Sequence, residues 1–159
     1  MMLRPAGAAD LPAIAGLIDE HPMALLSYHP GWLAEVLADP ASRLLVWDRK
    51  GFAGFAMLLA AWPQVLHLAN LAVRHRGDGQ ALIAAVLCVA FDDMQAHRVF
   101  GDTASDNARA RSAFRRAGFV EEGTFRQCWL RPDGQWADCT GLAILRSDWH
   151  ARQTGPRAG

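Results

Sequence analysis

The chain has 159 residues, of which 52% are hydrophobic and 20% charged, and its formal net charge is zero. That length suits one domain with a sizeable core, and the composition excludes a disordered chain. Zero net charge argues against a dedicated nucleic-acid binder, which carries a basic excess, and the longest apolar run, Ala81 to Phe91, is too short to span a bilayer.

The start, Met1-Met2-Leu3-Arg4-Pro5, lacks the apolar core of a secretory leader. The three cysteines are odd in number and have no metal-ligand spacing. A cytoplasmic protein without a metal, a nucleic-acid partner or a membrane partner is the expectation.

Leu3-Arg4-Pro5 reads as a first strand. Asp10 is placed as a helix N-cap with Pro12 in the first turn, and Leu11, Ile14, Leu17 and Ile18 form one apolar stripe. His21-Pro22 ends that helix. A second helix covers Trp32 to Ala38 and stops at Asp39-Pro40. Leu44–Trp47 and Phe52–Ala60 form a hairpin around Asp48–Gly51, and Val65 to Val73 is the next strand. A helix apolar on most sides then runs from about Asp78 to Met94.

Arg98–Gly101 is a short strand, so strand, helix and strand imply a parallel pair with a right-handed crossover. Asn107 caps a helix with Ala110, Ala113, Phe114 and Ala117 on one side, and Gly118 ends it. Phe119–Leu130 and Gln135–Leu145 are joined by the turn Arg131–Gly134. The expected fold class is α/β (α+β): a mixed, mostly antiparallel sheet of about seven strands with helices on both faces. One domain spans residues 1–150, and 151–159 are expected to form a disordered tail.

The stretch from Leu66 to Ala84 carries the chemistry. An apolar strand enters Arg74-His75-Arg76-Gly77-Asp78-Gly79-Gln80, and an apolar helix leaves it. A helix that starts in a glycine loop directs unpaired N–H groups and a positive dipole end at one spot, which suits phosphate. No Gly-Lys-Ser/Thr follows, and the three-glycine dinucleotide spacing is missing, so neither of those phosphate loops is present. An ordinary strand-to-helix turn is the alternative.

Arg74-x-x-Gly77-x-Gly79 resembles the Gln/Arg-x-x-Gly-x-Gly/Ala loop of the GCN5-related N-acetyltransferase (GNAT) superfamily. Asn107-x-x-Ala110-x-x-x-Phe114-x-x-x-Gly118-Phe119 is similar to a second motif of that family, on the matching helix. Val120–Arg126 and the late Asp133-Gly134 to Asp138 look like the branch that includes ribosomal-protein N-acetyltransferases. The resemblance spans roughly residues 2–149.

It implies a GNAT-like sheet and acetyl-CoA as co-substrate. Pantetheine would lie along Leu71, Ala72 and Val73. The loop Arg74, Arg76, Gly77, Asp78, Gly79 and Gln80 would take the pyrophosphate, chiefly through backbone N–H groups from Arg76 to Gln80. Asn107 would bond the pantetheine arm, with a helix cap alone as the alternative. The implied reaction is direct attack of an amine on the thioester. A backbone N–H near Asn70 or Leu71 is the natural oxyanion donor.

His67 is the base candidate, since histidine's reference pKa of ~6.5 suits proton removal near neutral pH. A polar strand residue bonded to its neighbours is the alternative. By strict alternation Asn70 faces away from His67 unless a bulge lies between them. The family's tyrosine position is Phe114, which has no proton to give, so either water or another group protonates the thiolate, or it leaves unprotonated. A non-catalytic acetyl-CoA-binding module is the competing class.

Cys88 is expected to be an inert core thiol, with Cys128 and Cys139 close together across the last hairpin. Trp32, Trp62 and Trp129 are candidates to border the acceptor pocket, and Arg76 and Arg111 to reach phosphate. A peptide or protein α-amino group is the favoured acceptor, because at a pKa of ~8 about a tenth is free amine at neutral pH, against less than a thousandth for lysine at ~10.4. A small-molecule amine remains the alternative acceptor, and a homodimer is compatible with the sequence.

Overall fold

The structure, a computed structural model, describes residues 1–154. Its strands are β1 (Met2–Pro5), β2 (Arg43–Asp48), β3 (Phe52–Trp62), β4 (Val65–Val73), β5 (Arg98–Ala104), β6 (Val120–Leu130) and β7 (Trp136–Leu145). The helices are α1 (Leu11–Asp19), α2 (Trp32–Ala38), α3 (Asp78–Cys88), α4 (Ala108–Ala117) and α5 (Arg146–Thr154). The strands form one sheet in the order β1-β2-β3-β4-β5-β7-β6. Every neighbouring pair is antiparallel except β4 and β5. This is the mixed seven-stranded sheet expected from the sequence.

Strands β2 and β3 are continuously apolar through their middles because both faces are covered. In β2, Leu45 and Trp47 enter one core while Leu44 and Val46 enter the other. Strand β3 divides likewise, with Ala56 and Leu58 on one side and Phe55 and Met57 on the other. The first core packs under α3, α4 and α5, and the second under α1 and α2.

Strand β4 breaks this alternation. Leu66 and Leu68 face the first core, yet so do Leu71 and Val73, while Ala69 and Ala72 face the second. The phase slips because Met57 pairs with Asn70 but Leu58 pairs with Leu68, leaving Ala69 as the extra residue of a bulge.

Four expectations change at the ends of elements. Asp10 does not cap α1 with its side chain. Its carboxylate instead accepts from the Gly7 N–H at 2.8 Å and from Arg4 at 2.8 Å, closing a 3₁₀ turn ahead of the helix. The long helix after the glycine loop becomes a π turn at Val89–Asp93, which leaves Ala90 and Phe91 both buried and sets Phe91 5.3 Å from Trp149. Cys88 is exposed rather than in the core, on the same outward face as Ala81 and Ala84. The ordered chain does not end at 150: α5 runs to Thr154, and Arg152 donates to the Arg116 carbonyl at 2.8 Å. The rest of the expected tail, 155–159, lies outside the described residues.

Among the described residues, no helix is long and apolar enough to cross a membrane.

Gly54 holds β3 against β4. A Cβ there would stand 2.4 Å from the Ala72 carbonyl oxygen and 3.0 Å from the Val73 Cα, and backbone cannot yield as a side-chain tip can. Gly54→Ala is expected to cost about 1–3 kcal/mol or more, read as a lower urea midpoint at unchanged slope. An unchanged midpoint refutes the close-approach argument. The Arg4 guanidinium, followed by the Gly7 amide, holds the Asp10 carboxyl down at about 2. A depressed carboxyl contributes stability that is complete above its unfolded value of ~3.9. That contribution disappears as the pH falls through about 2. Asp10→Asn should therefore lose less stability than the parent between these limits in acid titrations of unfolding, and parallel curves would show that the Arg4 contact contributes nothing.

Candidate active site

Strands β4 and β5 pair only from Val65–His67 to Arg98–Phe100. Beyond that point β4 stays with β3, up to the Val73–Gly54 pair, and β5 stays with β7, up to the Ala104–Cys139 pair. Gly101 marks the parting, since a Cβ there would meet the Leu68 carbonyl oxygen at 3.0 Å. Strand β5 thus runs three residues past its expected end at Gly101, and it carries Asp102 and Thr103 into the cleft. The result is a groove of about 250 Å³ between the free edge of Leu68–Val73, the start of α3 and one face of α4.

The loop before α3 delivers backbone, not side chains, to this groove. Gly77 has φ +98° and directly precedes α3, a conformation that strains any other residue. Gly79 lines the groove, and the N–H groups of Gly79 and Gln80 lie in the first helical turn, where a helix supplies no acceptor.

The side chains of this loop are occupied elsewhere. Arg74 pairs with Glu20 at 3.1 Å and lies over the Phe52 ring, while its N–H donates to Ala53. The buried Asp78 carboxylate accepts from the Trp47 indole at 3.0 Å and from Arg49 at 3.1 Å. Gln80 donates to the Ala113 carbonyl at 2.8 Å and ties α3 to α4. As side chains, Arg74, Asp78 and Gln80 therefore build the loop and are not free for a ligand. Arg76 is exposed. Arg111, considered for phosphate, is held by Glu121 and the Ser105 carbonyl. Arg109 lines the groove.

Asn107 caps α4 by accepting from the Ala110 N–H at 3.1 Å. Only its oxygen is used, so the amide NH₂ remains available on the groove wall. Phe114 borders the same groove, with its ring 5.1 Å from Phe119 and edge-on to it.

The groove opens into a second, smaller cavity of about 130 Å³. The bulge at Ala69 lets His67 and Asn70 both line it, despite the odd spacing. The Asn70 side chain is buried and donates to the Leu26 carbonyl at 3.0 Å, which pins the segment between α1 and α2 over the cavity. His67 lies flat on Phe100, with centroids 4.8 Å apart and planes at 7°, and its Nε2 is 3.4 Å from Asp102 Oδ1. Tyr28, Trp129, Cys128 and Cys139 complete much of the wall.

Tyr28 is raised in pKa by burial first and by the Asp102 charge second, so it stays a neutral hydroxyl. Burial, then the adjacent Cys128 thiol, push Cys139 up to about 12. Both thiols are free, and a thiol held protonated is a poor nucleophile. Trp32 belongs to the second core, and Trp62 is exposed at the far end of β3, so of the three tryptophans considered only Trp129 borders the cavity. His21 lines the groove, His29 sits beside Glu35 at 3.5 Å, and His75 and His97 are exposed. Among the described residues no group of three or more His, Cys, Asp or Glu is arranged to hold a metal.

Sequence reasoning missed Asp102, Thr103 and Tyr28. Asp102 and Thr103 lie past the expected strand end at Gly101, and only the continuation of β5 to Ala104 turns them into site residues.

A family model described as acetyltransferase (GNAT) family matches residues 13–119, more than half of the chain. A point mutant of the spermidine N-acetyltransferase SpeG from Vibrio cholerae superposes with a TM-score of 0.84 at 21% identity, over 96% of this chain and 99% of that one. The spermidine N-acetyltransferase from Vibrio cholerae in complex with CoA and spermine gives a TM-score of 0.82 at 21% identity, over 94% and 97%. At that identity the likeness carries the fold.

At Gly79 an added Cβ meets nothing within 4 Å. Gly79→Val should therefore leave the fold intact while projecting methyl groups toward the groove, weakening acetyl-CoA binding by about tenfold or more, the scale of one lost charge-assisted hydrogen bond. Calorimetry with a thermal melt as control checks this, and unchanged affinity at unchanged melting temperature rules it out.

Proposed function

The chain belongs to the acetyltransferase (GNAT) family, and from that premise we propose that it moves an acetyl group from acetyl-CoA directly onto a small primary amine in the cleft between β4 and β5. One observation carries this reading: the long groove and the inner cavity share Ala69, Asn70, Asp102 and Thr103. A thioester coming along the groove and an amine held in the cavity would meet there.

Pantetheine would run along the unpaired edge of Leu71, Ala72 and Val73, with the Asn107 amide on the opposite wall. The pyrophosphate would rest at the start of α3, near Gly77 and Gly79. His67, acting directly or through one water, removes the proton of the incoming ammonium. The amine nitrogen then bonds the acetyl carbon, and the carbonyl electrons move onto oxygen. A backbone N–H of the bulged segment Asn70–Leu71 stabilises that oxyanion. Collapse breaks the C–S bond and releases CoA thiolate. With phenylalanine at position 114, no phenol stands on the groove to protonate it. Thiolate departure is tolerable near neutral pH because a thiol's reference pKa is ~8.5.

A small amine is preferred here over the peptide α-amino group favoured by the sequence. The inner cavity, at about 130 Å³, is about half the size of the groove that opens into it. The compared structures include one with spermine, a small amine, and neither the family match nor those structures support the ribosomal-protein branch that Val120–Arg126 resembles. A peptide N-terminus stays as the second reading on one observation. An outer cleft of about 460 Å³ beside β6 shares His67, Asp102 and Cys128 with the cavity and gives an extended chain a path to it.

Release of free CoA thiol with a panel of amines tests the proposal. His67→Gln should lower kcat by about 10²-fold or more, the usual size of a general-base contribution, with acetyl-CoA affinity unchanged. Phe114→Leu should cost only a few-fold, since it contributes shape alone. Full activity in the first variant, or a hundredfold loss in the second with affinity intact, would overturn these assignments.

A further inference from the structure

We infer that Asp102 recognises the acceptor's positive charge, and that the acceptor is a primary amine with a single cation on an apolar body rather than a polyamine. The inference rests on the inner cavity being the acceptor site.

Among the described residues, Asp102 is the one that lines the groove, the inner cavity and the outer cleft together. It is also the one carboxylate lining the inner cavity. Its neighbours of like charge are already engaged. Glu121 is held by Arg111, Glu122 by Arg98, and Asp106 by Arg131. The nearest basic group to Asp102 is the His67 imidazole, whose Nε2 lies 3.4 Å away, and 45% of the Asp102 side chain remains exposed. A carboxylate with spare acceptor capacity at the meeting point of three cavities attracts an ammonium. It also leaves that ammonium beside His67, the group proposed to take its proton.

The surrounding walls decide the rest of the ligand. Leu26, Ala69, Ala104, Tyr28 and Trp129 offer apolar and aromatic surface. The rims offer no spare carboxylate for a second positive charge: Arg131, 5.3 Å from the Trp129 ring centroid, is paired with Asp106, and Arg98, which lines the outer cleft, with Glu122. A polyamine would bring further ammonium groups against apolar walls, with no further carboxylate lining the cavity to balance them. An apolar or aromatic body fits those walls and leaves its one charge on Asp102.

The experiment measures thiol release from acetyl-CoA with 2-phenylethylamine, hexylamine and spermidine, for the parent, Asp102→Asn and Asp102→Glu. The parent should use the two monoamines with a kcat/KM about tenfold or more above that for spermidine, the size of one misplaced charge. Asp102→Asn should raise the monoamine KM by about tenfold or more while the KM for acetyl-CoA stays unchanged, and Asp102→Glu should recover part of that loss. Thermal melts control for folding. A preference for spermidine, or an unchanged amine KM in Asp102→Asn, overturns the inference and leaves the acetyl-transfer reading standing. Acetyl-CoA binding without transfer to any amine overturns that reading and this inference with it.

Discussion

The site depends on a parallel contact that lasts only three residues. Strands β4 and β5 are the one parallel pair in the sheet, and they separate after His67 and Phe100. Each has a stronger reason to follow its other neighbour. Strand β4 remains paired with β3, across the bulge, as far as Gly54, where the backbones approach too closely for a side chain. Strand β5 pairs with β7 along its full length. The parting leaves a row of backbone N–H and C=O groups on β4 without strand partners, and such groups must find partners elsewhere. A ligand with its own amide groups is suited to that edge.

The bulge at Ala69 acts at the same place. One extra residue moves Asn70 onto the face that carries His67, and Asn70 then reaches across to the Leu26 carbonyl. That single hydrogen bond, from a buried side chain, places the segment between α1 and α2 as the roof of the inner cavity. Tyr28 enters the wall as a consequence. The glycine loop follows a similar logic. Asp78 is anchored to Trp47 and Arg49 on the hairpin, so the start of α3 is held rigidly with its amides toward the groove. Losing one partner of a buried carboxylate costs about 1–3 kcal/mol, which is why this residue supports the loop better as a strut than as a ligand.

A chain of zero net charge can still carry a directed field where its ion pairs leave a gap. Around the cleft the pattern is pairs: Arg98 with Glu122, Arg111 with Glu121, Arg131 with Asp106. Asp102 is matched only by an imidazole. The local excess of negative charge therefore falls where an ammonium would have to arrive.

The sequence by itself determined the order of elements, the two-sided sheet and the glycine turn. These follow from short-range rules: the continuous apolar runs of β2 and β3, the stripe of Ile14, Leu17 and Ile18, the αL glycines at 77 and 118, and the Asn107 cap. It also made His67 and Asn107 visible, as polar residues in positions where packing alone would not put them. Only the tertiary structure decided which polar side chains are free. Arg74, Asp78 and Gln80 stand in the loop motif, but their partners, Glu20, Trp47 with Arg49, and Ala113, lie 29 or more residues away. Asp102 became a site residue because β5 outlasts its contact with β4, and Asn70 joined His67 because a bulge shifted the phase of one strand. Both depend on long-range register, which side-chain pairing across the sheet sets and which no local pattern records.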